Sequence, residues 1–158
     1  PPQKKYENDA WHNQHGTPTT IEMGVFRSST GEEVTRILFT KGTGYRPTYL
    51  RGSDSKTASL RRIKSDMITI ESSRSSVLPD ASPRIPESAP VFLAEDENLK
   101  LHVFIDKSIV EVFVNGQQCV AQRVYPGLDD SDGISFRAQG RDMKIVSIDA
   151  WEMKNIYD

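Results

Sequence analysis

Residues 99–126 read LKLHVFIDKSIVEVFVNGQQCVAQRVYP, and this stretch decides the fold class. Every second residue from 99 to 105 is aliphatic, which is typical of a β-strand with one buried face. After a short polar turn, residues 109–114 are β-branched or apolar at every position except Glu111. That composition predicts a second strand with both faces covered.

The dipeptide Asn115-Gly116 sets the course of the chain after this second strand. It supplies the two positive-φ residues that a type I′ hairpin turn requires, so a third strand is expected from residue 117 to about 125. A helix over the same residues would place the glycine mid-element, at a cost of about 1 kcal/mol. The stretch therefore predicts a three-stranded antiparallel meander, in which the single cysteine, Cys119, is expected to be a small buried hydrophobe.

Short strand patterns recur on both sides of the meander, and no segment shows a convincing helical period. They lie at residues 19–27, 34–41, 45–51, 60–64, 67–71, 134–138 and 143–153. Together they predict an all-β, two-sheet antiparallel β-sandwich, jelly-roll or concanavalin-like, with about nine to twelve short strands. The residues expected on its inward faces are Leu101, Val103, Ile105, Val112, Phe136 and Ile148.

Two stretches do not fit a regular sheet. Residues 1–18 are polar and irregular, which favours a linker or mobile arm and leaves 19–158 as the sandwich domain, expected to be the C-terminal part of a longer chain. Residues 72–90 carry so many prolines that no regular ladder is expected there. A loop of this length is usually disordered or packed against something. Packing is favoured by its apolar residues Val77, Leu78 and Ile85.

Composition limits the classes of partner. A chain of 158 residues is enough for one domain with a real core. Its net charge of -2 and pI near 6.0 give no electrostatic reason to expect nucleic acid or an anionic membrane, and no apolar run is long enough to span a bilayer. The mean hydropathy of -0.53 is low for a domain that stands alone, which indicates long polar loops or a surface normally covered by something else.

Two clusters of possible metal ligands occur in the sequence, and neither predicts a site. His12 and His15 have no third ligand nearby. The acidic run GLDDSDG, residues 127–133, resembles a calcium loop, but Leu128 occupies the first ligand position and Gln139 the place of the closing glutamate. We expect a solvated turn there, and neither a metal nor a cofactor.

The carboxylates of the meander, Asp106 and Glu111, lie on adjacent strands across a turn. Nothing nearby in the sequence indicates a substrate cleft, so a catalytic pair is not favoured. A structural ion pair is expected instead. Arg74, in the SSRSS segment, is the candidate partner for either carboxylate, because a guanidinium forks onto a carboxylate and an uncompensated buried charge is costly.

Surface aromatic residues leave a second function open. Sandwich folds also host lectins, in which exposed rings stack on sugars, and the fold alone does not decide the function. The candidate glycan-stacking residues of such a carbohydrate-binding module are Tyr45, Tyr49 and Trp11. A third possibility is an interaction surface in which an exposed sheet edge forms a homo-oligomer.

The sequence FIDKSIVEVFVNG, followed by RVYP, GISFRAQG and DAWEM, resembles the C-terminal β-sandwich module of glycoside hydrolase family 32, the invertases, levanases, inulinases and related β-fructosidases. TIESSRSS, residues 69–76, is similar to a shorter signature of that family. The resemblance is centred on Asp106, Lys107, Ser108, Glu111 and Phe113. It implies a sandwich packed beside an N-terminal five-bladed β-propeller catalytic domain of the same parent chain, and it favours a secreted or periplasmic protein.

In that family the propeller carries the chemistry, a retaining hydrolysis that uses two carboxyl groups. The family's catalytic motifs are Trp-x-Asn-Asp-Pro-Asn-Gly, Arg-Asp-Pro and Glu-Cys. This chain offers only Asn8-Asp9-Ala10, Arg141-Asp142-Met143 and Gln118-Cys119, so no catalytic residue is transferred. The resemblance thus implies a non-catalytic domain of a fructan- or sucrose-hydrolysing enzyme, with loop 72–90 as its contact with the propeller.

Overall fold

A computed structural model of the chain describes residues 19–50, 59–82, 84–94 and 96–153, and for 45–50 and 59–64 it describes the backbone alone. The described residues form strands arranged in two antiparallel sheets, and none of them is helical, so the predicted all-β, two-sheet antiparallel architecture is confirmed. Within these ranges no helix is long and apolar enough to cross a membrane. The arm predicted at 1–18, with Trp11, His12 and His15, lies outside the described residues.

Eight strands are described, and they divide into a larger and a smaller sheet. They are β1 (Thr20–Arg27), β2 (Thr35–Leu50), β3 (Ser59–Glu71), β4 (Glu87–Val91), β5 (Leu101–Asp106), β6 (Ile109–Val114), β7 (Gln118–Arg123) and β8 (Gly133–Gln139). The larger sheet has the order β4-β3-β2-β1-β8, and the smaller has the order β5-β6-β7.

The smaller sheet is the predicted meander. β5 pairs with β6, and β6 with β7, in unbroken antiparallel register. Asn115 (φ 48°) and Gly116 (φ 65°) have the positive φ expected of them. The Asn115 side chain also closes the start of β5, since its Oδ1 accepts from the Lys100 N–H at 2.8 Å and its Nδ2 donates to the Asn98 carbonyl at 2.9 Å.

The prediction that both faces of β6 are covered is wrong. Val110, Val112 and Val114 are fully buried, whereas Ile109 and Phe113 are exposed. Only one face of the smaller sheet packs on the larger sheet, so alternate residues face out. Cys119 pairs with Phe113 on that outer face and is exposed, which corrects the expectation that it is buried.

The larger sheet has longer strands than the sequence pattern predicts. β2 continues through the turn expected near residue 42, and the disturbance is absorbed by a register shift between Thr40 and Gly44. β4 falls at the end of the stretch expected to be irregular. It tolerates Pro90 because it is an edge strand of the sheet and needs hydrogen bonds on one side only.

The core lies between the two sheets. Its buried residues are Val25, Ile37, Phe39, Ile68, Ile70, Val91, Val110, Val112, Val114, Val120 and Val124. Burying each aliphatic side chain contributes about 1.5–3 kcal/mol. Of the predicted inward residues, Val112 is buried and Leu101 and Val103 pack against the core, whereas Ile105, Phe136 and Ile148 are exposed. The strand predicted at 143–153 is not among the described strands.

Candidate functional site

Glu33 is a carboxylate in the interior of the protein, with 0% of its surface exposed. It lies in the turn between β1 and β2, which closes on itself because the Ser28 N–H donates to the Glu33 carbonyl at 3.0 Å and the Glu33 N–H donates to Ser28 Oγ at 3.1 Å. Gly31 makes the turn possible with a φ of 74°. This local geometry fixes Glu33 just ahead of the buried start of β2.

The Glu33 carboxylate accepts four hydrogen bonds from two distant segments. Oε1 accepts from the backbone N–H groups of Val77 and Gly127, both at 2.7 Å. Oε2 accepts from the Leu128 N–H at 3.0 Å and from Ser131 Oγ at 2.5 Å. We call this set of five residues the Glu33 clamp. It joins the β1–β2 turn to the loop after β3 and to the turn before β8.

The clamp keeps Glu33 charged. Burial raises the pKa of the Glu33 carboxyl, but the hydrogen bonds from Ser131, Gly127, Val77 and Leu128 together outweigh burial and hold that pKa below its ordinary value of 4.5. A buried carboxylate is costly unless donors satisfy both oxygens, and here they do. Sequence reasoning missed this residue, because its donors lie 44 to 98 positions away along the chain.

A second carboxylate joins the same two turns. The backbone N–H and the Oγ of Ser29 donate to Asp130 Oδ2 at 3.1 and 2.5 Å, and these bonds lower the pKa of Asp130. The acidic run 127–133 thus supplies an anchor for the β1–β2 turn. In the described part of the chain no group of three or more His, Cys, Asp or Glu side chains is placed to hold a metal ion.

Among the described residues, one ion pair joins two neighbouring strands. Arg36 on β2 and Glu71 on β3 are partners in the register, and the Arg36 guanidinium donates to Glu71 Oε2, with Nε at 2.7 Å. The other oxygen, Oε1, accepts from the Ser73 N–H at 2.7 Å. Burial raises the pKa of the Glu71 carboxyl, but the contacts with Ser73 and Arg36 together lower it by a larger amount. The net shift of that pKa is therefore downward.

The predicted partners Arg74, Asp106 and Glu111 are not brought together. The Arg74 guanidinium donates to the Gly31 carbonyl, and the Arg74 carbonyl accepts from the Val34 N–H at 2.7 Å. The SSRSS segment therefore packs on the β1–β2 turn. Asp106 and Glu111 are exposed at the end of β5 and on the outer face of β6.

The aromatic candidates fall outside what the structure describes. Tyr45 and Tyr49 lie in the part of β2 that is described by its backbone alone, and Trp11 precedes the first described residue. Their proposed contact with sugars stays a prediction.

The segment that follows β3 presents apolar side chains on an anchored backbone. We call residues 72–86 the proline loop. Its backbone is held by the Val77 N–H bond to Glu33 and by Gln122 Nε2, which donates to the Ile85 carbonyl at 3.2 Å. The side chain of Ile85 is 86% exposed, and those of Val77 and Leu78 are exposed as well. Hydrogen bonds to the rest of the domain therefore hold the loop backbone at Val77 and Ile85, while apolar side chains of the loop face outward.

The fold and the Glu33 clamp define a β-sandwich domain that uses buried charge to hold its loops in place. The sequence matches the family described as glycosyl hydrolases family 32 C terminal over residues 4–152, and the chain belongs to that family. The resemblance drawn from the meander and from TIESSRSS is confirmed by this match.

Curated relatives match over part of the chain. The beta-fructofuranosidase insoluble isoenzyme 3 of Oryza sativa subsp. indica is 38% identical over 68 residues, which are 40% of this chain and 12% of that protein. The fructan 6-exohydrolase of Beta vulgaris is 40% identical over 63 residues, 37% of this chain and 10% of that protein. The match thus spans only 10–12% of these relatives. No solved structure matches the chain.

Proposed function

We propose that this chain is the non-catalytic C-terminal domain of a β-fructosidase-like glycoside hydrolase. It stabilises and docks onto an N-terminal propeller domain of the same parent chain, and that domain hydrolyses fructan or sucrose. The observation that carries the proposal is the family match over residues 4–152, together with relatives that are named for fructoside hydrolysis and are much longer than the matched part. Function depends on particular sites and not on the fold. Because this chain lacks the catalytic motifs of the family, the reaction is assigned to the other domain.

The use of the buried carboxylates supports a non-catalytic role. A retaining glycosidase needs two carboxyl groups about 5–5.5 Å apart that both reach the glycosidic bond. Glu33 has no exposed surface, and both of its oxygens are taken by donors from the protein. Glu71 is likewise bound to Arg36 and Ser73. These groups hold the fold together and are not available to a sugar.

The proline loop supports docking. Protein interfaces have an apolar centre with a polar rim, and ordering a loop before it binds reduces the entropy lost on association. The loop meets both conditions, because its backbone is anchored to Glu33 and Gln122 while Ile85 and its apolar neighbours face outward. We therefore assign the contact with the catalytic domain to this loop.

Catalysis is tested by incubating the purified chain with sucrose, levan and inulin and measuring free fructose. The expected result is no release above the buffer blank, while the parent protein assayed in parallel is active. Fructose release by the chain alone would contradict the non-catalytic assignment.

Docking is tested by Ile85→Glu in the parent protein and in the chain alone, with thermal unfolding as the measurement. In the chain alone the midpoint should hardly move, because the Ile85 side chain is 86% exposed. In the parent protein it should fall by several degrees, because the new carboxylate lies in the domain interface. His102→Glu is the matched control, since it adds the same group at an exposed position on β5. Equal unfolding midpoints for the Ile85→Glu and His102→Glu variants of the parent protein would show that the loop does not lie in the interface.

A further inference from the structure

A small polar pocket lies where the proline loop meets the end of β7. Five serines, two arginines and a tyrosine are among the described residues that line it. Its cavity volume is about 30 Å³, roughly twice what one water molecule needs. A pocket of this size holds a group of a few heavy atoms, such as a carboxylate, and is too small to enclose a sugar ring.

The pocket carries positive charge and no opposing negative charge. Arg84 and Arg123 line it, and none of its described lining residues is acidic. Neither guanidinium forms an ion pair with a residue in the described ranges. A guanidinium presents five N–H donors and no acceptor. The chemistry that matches this lining is therefore an anion with oxygen acceptors.

A hydrogen bond between two segments brings the two arginines to the same pocket. Gln122 Nε2 donates to the Ile85 carbonyl at 3.2 Å, which ties the proline loop to β7. Arg123 follows Gln122 in the sequence, and Arg84 precedes Ile85. The bond thus holds next to each other the two backbone positions that carry the cations.

One hydroxyl in the wall of the pocket has no hydrogen-bond partner. Ser72 lines the pocket and is 7% exposed, and its Oγ bonds to no described residue. The Ser72 carbonyl accepts from the Ser75 N–H at 3.1 Å, so the backbone at this position is fixed. Buried hydroxyls without a partner are rare because they destabilise the fold. Since a hydroxyl hydrogen rotates to suit its acceptor, Ser72 can donate to a group bound in the pocket.

We propose that this pocket binds one carboxylate-sized oxyanion. Arg84 and Arg123 supply charge-assisted hydrogen bonds, and the Ser72 hydroxyl donates to the same group and so gains its missing partner. Two sources present this chemistry, a free carboxylate anion and the side chain of an aspartate or glutamate from another domain of the parent protein. The proposal holds for both sources and does not depend on the proposed function.

The probe is sodium acetate, titrated into the ¹⁵N-labelled chain at an ionic strength held constant with sodium chloride, and the measurement is the NMR shift of backbone amides. Amides of residues 72–76, 84 and 123–125 should shift in a saturable way. Acetamide, a neutral molecule of the same shape, should leave them in place. Arg123→Gln should weaken acetate binding about tenfold or more. Arg141→Gln, which removes the same charge from the exposed turn after β8, should leave the affinity unchanged.

Ser72→Ala separates a role in binding from a role in folding. The variant removes a buried hydroxyl that has no partner, so the unfolding midpoint without acetate should stay the same or rise. Acetate binding should nevertheless weaken about three- to tenfold, because the anion loses one donor. A lower midpoint together with unchanged acetate affinity would make Ser72 a structural residue and refute its place in the site.

The same titration of the parent protein identifies the source of the anion. Amides that no longer respond to acetate would assign the pocket to an acidic side chain of another domain, and an unchanged affinity would assign it to a free anion. Three results for the chain alone would overturn the proposal. They are the absence of a saturable shift, equal affinity for acetate and acetamide, and equal losses of affinity in Arg123→Gln and Arg141→Gln.

Discussion

At the scale of single residues, Glu33 decides how three loops meet. A carboxylate in a protein interior is tolerated only when hydrogen bonds replace the water it has lost. Glu33 meets that requirement with two donors on each oxygen, three of them backbone N–H groups of other segments. Because backbone donors have fixed directions, the carboxylate sets the positions of both segments. It therefore acts as the organising centre of this end of the sandwich.

Glu33→Gln is expected to destabilise the chain by about 2–3 kcal/mol at neutral pH. Glutamine keeps one acceptor oxygen but presents an NH₂ group to the donors that the other oxygen served, so buried donors lose their partner. The measurement is urea unfolding followed by tryptophan fluorescence or circular dichroism.

Glu32→Gln is the control for this variant, because Glu32 is the exposed neighbour in the same turn. It removes the same charge and should leave stability within about 0.5 kcal/mol of the original. Similar losses in the two variants would mean that net charge, and not the Glu33 clamp, accounts for the effect.

At the scale of elements, β8 depends on a glycine where it meets β1. Gly133 is the register partner of Arg27, next to a register shift. A Cβ atom at Gly133 would lie 2.6 Å from the Arg27 carbonyl oxygen, closer than a carbon and a backbone oxygen can approach. The absence of a side chain is thus what lets the two strands close at this end.

Gly133→Ala is therefore expected to push the start of β8 away from β1, at a cost of about 1–3 kcal/mol. Amides at the start of β8 should exchange faster, while those of the β5–β6 hairpin keep their rates. Ser135→Ala on the same strand introduces no new atom and serves as the control. Unchanged exchange in β8 of the Gly133 variant would refute this account of the contact.

The turn between β6 and β7 allows backbone strain to be measured without a steric contribution. Gly116 has a φ of 65°, and a Cβ atom there would meet no atom within 4 Å. Gly116→Ala should cost about 1–2 kcal/mol from the left-handed backbone alone, and Gly116→Asn should cost less, because asparagine tolerates that region. Chemical denaturation of the two variants gives the comparison. Equal losses would mean that backbone conformation is not the cause.

At the scale of the whole molecule, features that depend on nearby residues were predictable from sequence and features that depend on distant ones were not. The hairpin at Asn115-Gly116 was predicted because its turn and both strands are contiguous. The role of Glu33 was not, because its donors come from far along the chain. The same holds for β6. Its apolar outer face suggested a cover on both sides, but whether a second layer exists depends on the rest of the fold.

The response of the whole chain to acid follows from its carboxyl groups. The folded state holds the pKa values of Glu33, Glu71, Glu97 and Asp130 below their ordinary values of 4.5 for glutamate and 3.8 for aspartate. Between the ordinary pKa values and the lower pKa values of the folded state, the unfolded chain binds more protons than the folded chain. The stability that these groups contribute is therefore complete above the ordinary pKa values and is lost as pH falls toward the pKa values of the folded state. We expect the unfolding free energy to be nearly constant from pH 7 to about 5.5 and to fall steeply below about 4.5.

The double variant Glu33→Gln, Glu71→Gln should be less stable at pH 7 and show a shallower decline in acid, whereas Glu32→Gln should keep the original slope. A double variant with the original acid slope would place the pH dependence in other groups.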